Sequence, residues 1–392
     1  MKTFTLCLSF VKRYALSICI TCLTLASGIF LLVAMVGMYQ FQKYTLEVYK
    51  ASDLQDAVFV MPSFFEDGTE LRERSQMIQE TASQMDGVSH ILNYQSSIAG
   101  YGDHVTNAMY WSKEMRDNFK LQLVEGEWFS EDPTETEAVI GGAVWDGVSV
   151  GDTVTLSNGV TAKVVGIMGE HVVYPAFSSG TNDAFPASKL FNTIDTMVFL
   201  TEETIDFASL NIKNMSGNKT MFFVCFADDA TQAEKDAVLL YLESEGVVRT
   251  YEDIVQDSED ALASIVTEQF PLPLFLLCIT TIGILCICAV IVKRSMPDMA
   301  KYYLLGCTKA RYTGILAGTM ACVFSIPALL GIAAVVLSPD VVHQIFHAKY
   351  IIDAHCVLPI ILYVCLLVGI LILMPMLFYR KYSPVDLYRR NL

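Results

Sequence analysis

The residues best suited to metal or proton chemistry are histidines, of which the chain has six. His343 and His347 stand four apart, so a helix would present both on one face, with Asp353 and His355 close behind. Spacing alone is weak ground for a metal. Ser338-Pro339-Asp340 reads as the start of a short interfacial helix that carries the pair without one. A run of carboxylates (Glu125, Glu127, Glu131, Asp132, Glu135 and Glu137) offers charge to a cation or a cationic peptide. Such runs are usually a solvated face. The nucleophile elbow GxSxG and the zinc pair HExxH are absent, as is the phosphate loop GxxxxGK[ST]. The chain therefore does not itself hydrolyse ATP by that route, and it reads as a non-catalytic protein with no catalytic, cofactor or metal site of its own. A net charge of −16 without a basic face excludes a nucleic-acid binder.

The elements around these residues are those of a membrane protein. Apolar residues make up 53 % of the 392 and charged ones only 17 %, well below the roughly 25 % of soluble domains. Four segments reach the roughly 20 apolar residues that a bilayer crossing needs: 15–38, 271–292, 313–337 and 356–379. Between them lie an N-terminal segment 1–14, a polar stretch 39–270, a loop 293–312, a short loop 338–355 and a tail 380–392. The stretch 39–270 carries 38 acidic and 13 basic residues, net −25, and the remainder of the chain is net +9. Lys2, Lys12, Arg13, Lys293, Arg294, Lys301, Lys309, Arg311, Arg380, Lys381, Arg389 and Arg390 flank the spans. The positive-inside rule then puts both termini and 293–312 in the cytoplasm, and 39–270 and 338–355 outside. A cleaved signal peptide is the rival reading of the first span, but its apolar run of 24 residues exceeds the usual 7–15. No Asp, Glu, Lys or Arg falls within the central spans, which argues against an ion-coupled transporter and a charged pore. Energy must come from a partner. Gly314 and Gly318 form a GxxxG in the third span, a pattern that suits helix contact. Among the eleven cysteines only Cys225 lies firmly in the outer domain, so no disulfide framework holds it.

The outer domain reads as mixed α+β. Residues 151–156 and 160–167 alternate around Ser157-Asn158-Gly159, a hairpin with an Asn-Gly turn. Ala138–Ile140, 221–226, Val88–Asn93 and Val247-Val248 read as strands, and Met77–Met85 and 228–245 as helices. Ala233, Ala237, Leu240 and Tyr241 form the expected stripe of the latter. Two strand-helix-strand pieces, near 58–95 and 220–250, thus flank a β-rich centre near 124–200. Ile254, Ala261 and Ile265 mark a helix over 252–270 that leads into the second span, and Pro271 and Pro273 are expected to bend it. Residues 43–49 extend the first span to match, and the two extensions make a stalk.

The loop carries Asp298-Met299-Ala300-Lys301-Tyr302-Tyr303-Leu304-Leu305-Gly306-Cys307. This resembles the E-I-A-x-L-[RK]-A-L-G-A segment of FtsX-like permeases, the MacB-type ABC transporter subunits. Asp298, Ala300, Leu305 and Gly306 match it, and Lys309 and Arg311 resemble its basic follow-on; Pro297 and Tyr303 depart from it. Ser383–Arg389 resembles the family's P-x-x-A-L-R ending, Glu125–Phe129 its G-R-x-F segment, and 150–154 with 164–167 its G-D and V-V-G-I pattern. The resemblance implies four transmembrane helices with an extracytoplasmic domain between the first two. It also implies a coupling helix on which a separate ATPase sits, formed by Asp298, Met299, Ala300, Tyr302, Leu305, Gly306, Lys309 and Arg311. Further implied are a homodimer or a pair with a related permease, two ATPase chains binding the ATP and magnesium, contact with membrane lipids, and room for an outer fusion or substrate-binding protein. Export or removal of amphiphilic peptides, drugs or lipids is the leading function. A non-transporting mechanotransmitter acting on a cell-wall hydrolase and a ligand-sensing receptor stay open beside it.

Overall fold

Val- and Phe-rich runs build the first sheet of the domain between the first two apolar helices. A computed structural model of the chain describes residues 15–63, 71–102, 104–141, 145, 147–169, 172–177, 184–192, 197–207, 215–216, 220–295, 301–302, 305–337, 351 and 354–380. It divides into two units, Gln42–Ala261 and Met1–Phe41 with Leu262–Leu392.

In the Gln42–Ala261 unit, β1 (Ala57–Pro62), α2 (Leu71–Ser83) and β2 (Val88–Leu92) form one strand-helix-strand piece; β13 (Phe222–Phe226), α4 (Gln232–Glu245) and β14 (Gly246–Arg249) form the other. Their strands make one antiparallel sheet of order β14-β1-β13-β2, a split β-α-β arrangement. Every residue of β1 and β13 is buried. On one face Val58, Val60, Phe222 and Val224 meet Ile78 and Ala82 of α2 and Val238 and Leu242 of α4. The expected stripe on α4 is thereby corrected: Leu240 is 72 % exposed, and the larger pair Val238 and Leu242, one turn apart, faces the sheet instead. A capping box of Thr231 and Glu234 starts this helix, and its carboxylate is held below its ordinary range by the backbone and hydroxyl donors of Thr231.

Between β2 and β13 is inserted an eight-stranded mixed sheet. It contains β3 (Tyr94–Tyr101), β4 (His104–Trp111), β5 (Leu123–Gly126), β6 (Glu137–Gly141), β7 (Thr153–Thr155), β8 (Thr161–Met168), β11 (Met197–Thr201) and β12 (Met215–Ser216), in the order β12-β3-β4-β11-β6-β8-β5 with β7 on β8. A short helix α3 (Lys113–Asn118) follows β4. The expected hairpin is β7–β8, with Thr155 opposite Thr161 and Gly159 at φ 94°. Its core joins Tyr110, Ile140, Val154, Leu156, Val164 and Leu200. A third, two-stranded ribbon pairs β9 (Tyr174–Pro175) with β10 (Phe191–Asn192).

Among the described residues four helices are long and apolar enough to cross a membrane. They belong to α1 (Ala15–Ala51), α6 (Pro271–Arg294), α7 (Lys309–Leu337) and α8 (Ala354–Arg380). Leu25, Ile29, Leu277, Ile284, Phe324 and Leu371 share their buried cluster. Glycine sets one close approach: a Cβ on Gly331 would lie 2.7 Å from the carbonyl oxygen of Ala26. Helix α5 (Tyr251–Ser264) precedes α6. Where a bend is expected before Pro271, the backbone widens into a π turn over Ile265–Gln269, in which the Phe270 N–H donates to Ile265 O. The prolines then sit in the first turn of α6, where a missing N–H costs no helical bond.

Candidate coupling element and stalk

The chain between α6 and α7 begins with Ser295, which caps α6. Asp298, Met299 and Ala300 lie outside the described residues. Lys301 and Tyr302 are helical, and Leu305 and Gly306 form a turn. The turn follows from residue type. Gly306 has φ +87°, and the Cys307 N–H reaches back to Tyr302 O at 2.9 Å, the six-to-one bond of a Schellman motif. Thr308 then starts α7: its hydroxyl accepts from the Arg311 N–H at 3.4 Å. Lys309 opens α7.

The motif turns the apolar side chains of the loop in different directions. Tyr302 and Cys307 pack against the cluster of the apolar helices, Tyr302 with its ring 5.8 Å from that of Tyr312. The Tyr312 hydroxyl donates to Ser295 O at 3.2 Å and so ties the start of α7 to the end of α6. Leu305 points the other way and is 81 % exposed. Lys301 and Arg311 are exposed with it. A large aliphatic side chain is thus held outward by a backbone anchored to two apolar helices.

The stalk residues divide in a similar way. Ile254 is fully buried, Ala261 is half-buried and Ile265 is buried. In the Gln42–Ala261 unit the end of α1 lies along α5: Lys50 Nζ is 2.8 Å from Glu259 Oε1, and Tyr49 stacks on Tyr251 at 5.1 Å. Sequence reading missed a second anchor. Between β9 and β10 a strap sends the Phe185 N–H to Asp257 Oδ2 at 2.6 Å and the Ala187 N–H to the Ser258 hydroxyl at 2.8 Å. Phe185 stacks on Phe59 at 4.9 Å, and Phe177 meets Phe223 at 5.3 Å. The strap therefore joins α5 to the uncovered face of the four-stranded sheet. Its one legible sign was the density of aromatics around residues 174–191, which no periodicity organises.

The carboxylate run divides by burial. Glu125, Glu127, Glu131, Asp132 and Glu135 are exposed, whereas Glu137 is buried and accepts from the Ser130 N–H at 2.7 Å and hydroxyl at 2.6 Å. Among the described residues no three His, Cys, Asp or Glu side chains gather as a metal would require. His343, His347, Asp353 and the side chain of His355 lie outside them. Among the described residues, a Cβ on Gly314 or Gly318 would meet no atom within 4 Å.

The segment Glu125–Phe129 is structural. Gly126 has φ +84°, and a Cβ there would lie 2.2 Å from Val165 O. Trp128 Nε1 donates to Arg116 O at 3.0 Å, and Phe129 lies under the Arg116 guanidinium. The chain matches the family described as the MacB-like periplasmic core domain over residues 19–237, more than half its length. It belongs to that family, that of the MacB-type, FtsX-like ABC permeases.

Solved structures similar to it include the periplasmic region of MacB from Actinobacillus actinomycetemcomitans, at 14 % identity and TM-score 0.35, covering 55 % of this chain and 98 % of that one. The extracellular domain of the noncanonic ABC-type transporter YknZ from Gram-positive bacteria is 13 % identical at TM-score 0.26, covering 46 % and 87 %. A domain of a putative permease protein from Porphyromonas gingivalis is 14 % identical at TM-score 0.27, covering 50 % and 84 %. No curated protein sequence matches. Family membership and the four apolar helices make this a multi-pass membrane protein with an extracytoplasmic α+β domain between its first and second spans.

Proposed function

We propose that this MacB-type permease is the non-catalytic membrane subunit of an ABC transporter. Two copies, or one copy and a related permease, carry two ATPase chains on the cytoplasmic side. ATP hydrolysis there moves the extracytoplasmic domain through the stalk and drives export or removal of amphiphilic substrates. Both termini and the loop 293–312 are cytoplasmic, as the net −25 of residues 39–270 against +9 elsewhere favours.

One observation carries the reading: Leu305 is 81 % exposed, on a Schellman stop beside the Tyr302–Tyr312 contact. An exposed leucine on a fixed support is what a docking partner can bury and push against. The experiment is Leu305→Asp in the full chain, co-expressed with the ATPase that co-purifies with the unmodified chain. A carboxylate buried without a partner costs several kcal/mol, so co-purification of the ATPase should be lost while tryptophan fluorescence of the outer domain stays unchanged. Full binding and a full ATPase rate in this variant would refute docking at Leu305.

A non-transporting mechanotransmitter is favoured by the strap, because Asp257 and Ser258 hold α5 to the strap and its aromatics reach the sheet. Substrate efflux from proteoliposomes that hold both subunits separates the two readings.

A further inference from the structure

Helix α4 of the extracytoplasmic domain is apolar on two sides. Val238 and Leu242 are buried on the four-stranded sheet. Ala233, Ala237 and Leu240 turn away from it, and all three are exposed, Leu240 by 72 %. Steps of four and three residues set them on one line about 10 Å long. That is the spacing at which a helix offers a seam to another helix. Tyr241, half-buried against the sheet cluster, borders the line, and α2, the other helix on this sheet, adds Met77 at 61 % exposed.

The rim of this face has one sign of charge. Asp236 and Glu243 flank Leu240, four residues before it and three after, and both are exposed. Lys235, the one cation of α4, is drawn off to Asp56, with Nζ 2.6 Å from Oδ1. Arg74 of α2 is drawn off to Glu245, with Nη2 2.8 Å from Oε2. Glu73 and Glu80 of α2 are exposed as well. Among the described side chains of the two helices, the charge left at the rim is therefore acidic.

Charge selects among the occupants of such a face. A second copy would set Asp236 and Glu243 against the same acidic rim, within a stretch that is net −25, and like charges at an interface oppose the pairing. An anionic bilayer surface attracts basic segments and repels this one. A helix with an apolar seam and basic flanks meets Leu240 with the first and the carboxylates with the second, as flanking charges set partner choice between packed helices. We propose that the outward face of α4 docks a basic amphipathic helix of a partner protein outside the membrane. This inference needs only the fold of the extracytoplasmic domain, and it stands whether or not the ATPase docks at Leu305.

The test uses the full chain in phosphatidylcholine nanodiscs and a fluorescent helical peptide of about three heptads, with leucine along its seam and lysine on its flanks. A second peptide carries glutamate in place of lysine. Fluorescence anisotropy should show binding of the lysine peptide alone. Leu240→Asp, at an exposed position that the fold does not need, should weaken it at least about tenfold, as loss of a central anchor does. Asp236→Lys with Glu243→Lys should reverse the preference between the peptides. No binding of the lysine peptide would overturn the proposal. Equal binding by the unmodified chain and Leu240→Asp would overturn it too, since attraction to net charge alone would then suffice. Should Leu240→Asp not fold, the charge reversal decides. In intact cells, p-benzoylphenylalanine placed at Leu240 should cross-link to a basic segment of another protein, read by sequencing the joined peptide. A joined peptide from this same chain would put a second copy on the face and overturn the assignment.

Discussion

Gly126 and Gly306 both hold a left-handed backbone, at φ +84° and +87°, but a side chain would fare differently at each. At Gly126 a methyl would collide with Val165 O, so Gly126→Ala should cost the outer domain at least the strain of a forced backbone, about 1–3 kcal/mol. Trp111, Trp128 and Trp145 all lie in that domain. Urea unfolding followed by their fluorescence therefore reads the loss directly, and an unchanged midpoint would show that Gly126 is replaceable. At Gly306 no described residue lies within 4 Å of an added Cβ, and the backbone conformation is what objects. Gly306→Ala should weaken ATPase co-purification, since the left-handed form costs about 1–2 kcal/mol, and Gly306→Asn should restore much of it because asparagine accepts that conformation. Equal binding by all three chains would show that the Schellman stop does not matter for docking. Asn158 was legible as a turn residue, but its burial was not: its amide donates to Tyr110 Oη at 2.8 Å and its carbonyl accepts from the Val160 N–H. That partnership joins positions 48 apart in sequence, which no local pattern announces.

At the scale of elements, the strands and helices of the outer domain were legible from period and turn chemistry, and their assembly was not. Two strand-helix-strand pieces are legible on either side of the β-rich centre, but nothing local states that β1 pairs with β13, with Phe59 opposite Phe223. The same blindness hid the strap, whose grip on Asp257 and Ser258 comes from backbone N–H groups that any residue type supplies. Phe185 is fully buried against Phe59, so Phe185→Ala should cost about 3–5 kcal/mol of domain stability in the same fluorescence assay. A loss under about 0.5 kcal/mol, the range of a surface change, would mean that the strap merely rests on the sheet. The stalk itself was legible as a helix, and its π turn was not, since five-residue bonding leaves no sequence period. Two glycines inserted after Ser264 should soften it, each costing about 1 kcal/mol in a helix. The variant is expected to keep ATPase co-purification and lose its activity in cells; full activity would make the outer domain a passive binding module.

For the whole molecule, the division of charge is the long-range signal that a sequence shows plainly, because apolar length and flanking lysines act without regard to tertiary contacts. It yields a direct check of orientation. Cys225 is buried, and burial pushes its thiol up to about 12, so little reactive thiolate forms at neutral pH and the outer domain is silent to maleimide. A cysteine placed at exposed Thr155 should react in intact cells with an impermeant maleimide, and one at Leu305 should react only after permeabilisation. Early reaction at Leu305 would reverse the topology. The central claim, that ATP bound inside moves the domain outside, is tested most directly by pulsed electron resonance between spin labels at exposed Asp132 in the two copies of the reconstituted complex. The expected result is a distance that differs between the nucleotide-free and ATP-bound states, and that no longer changes when two glycines follow Ser264 although the ATPase remains bound. One distance in both nucleotide states of the unmodified complex would contradict transmission from the ATPase to the extracytoplasmic domain.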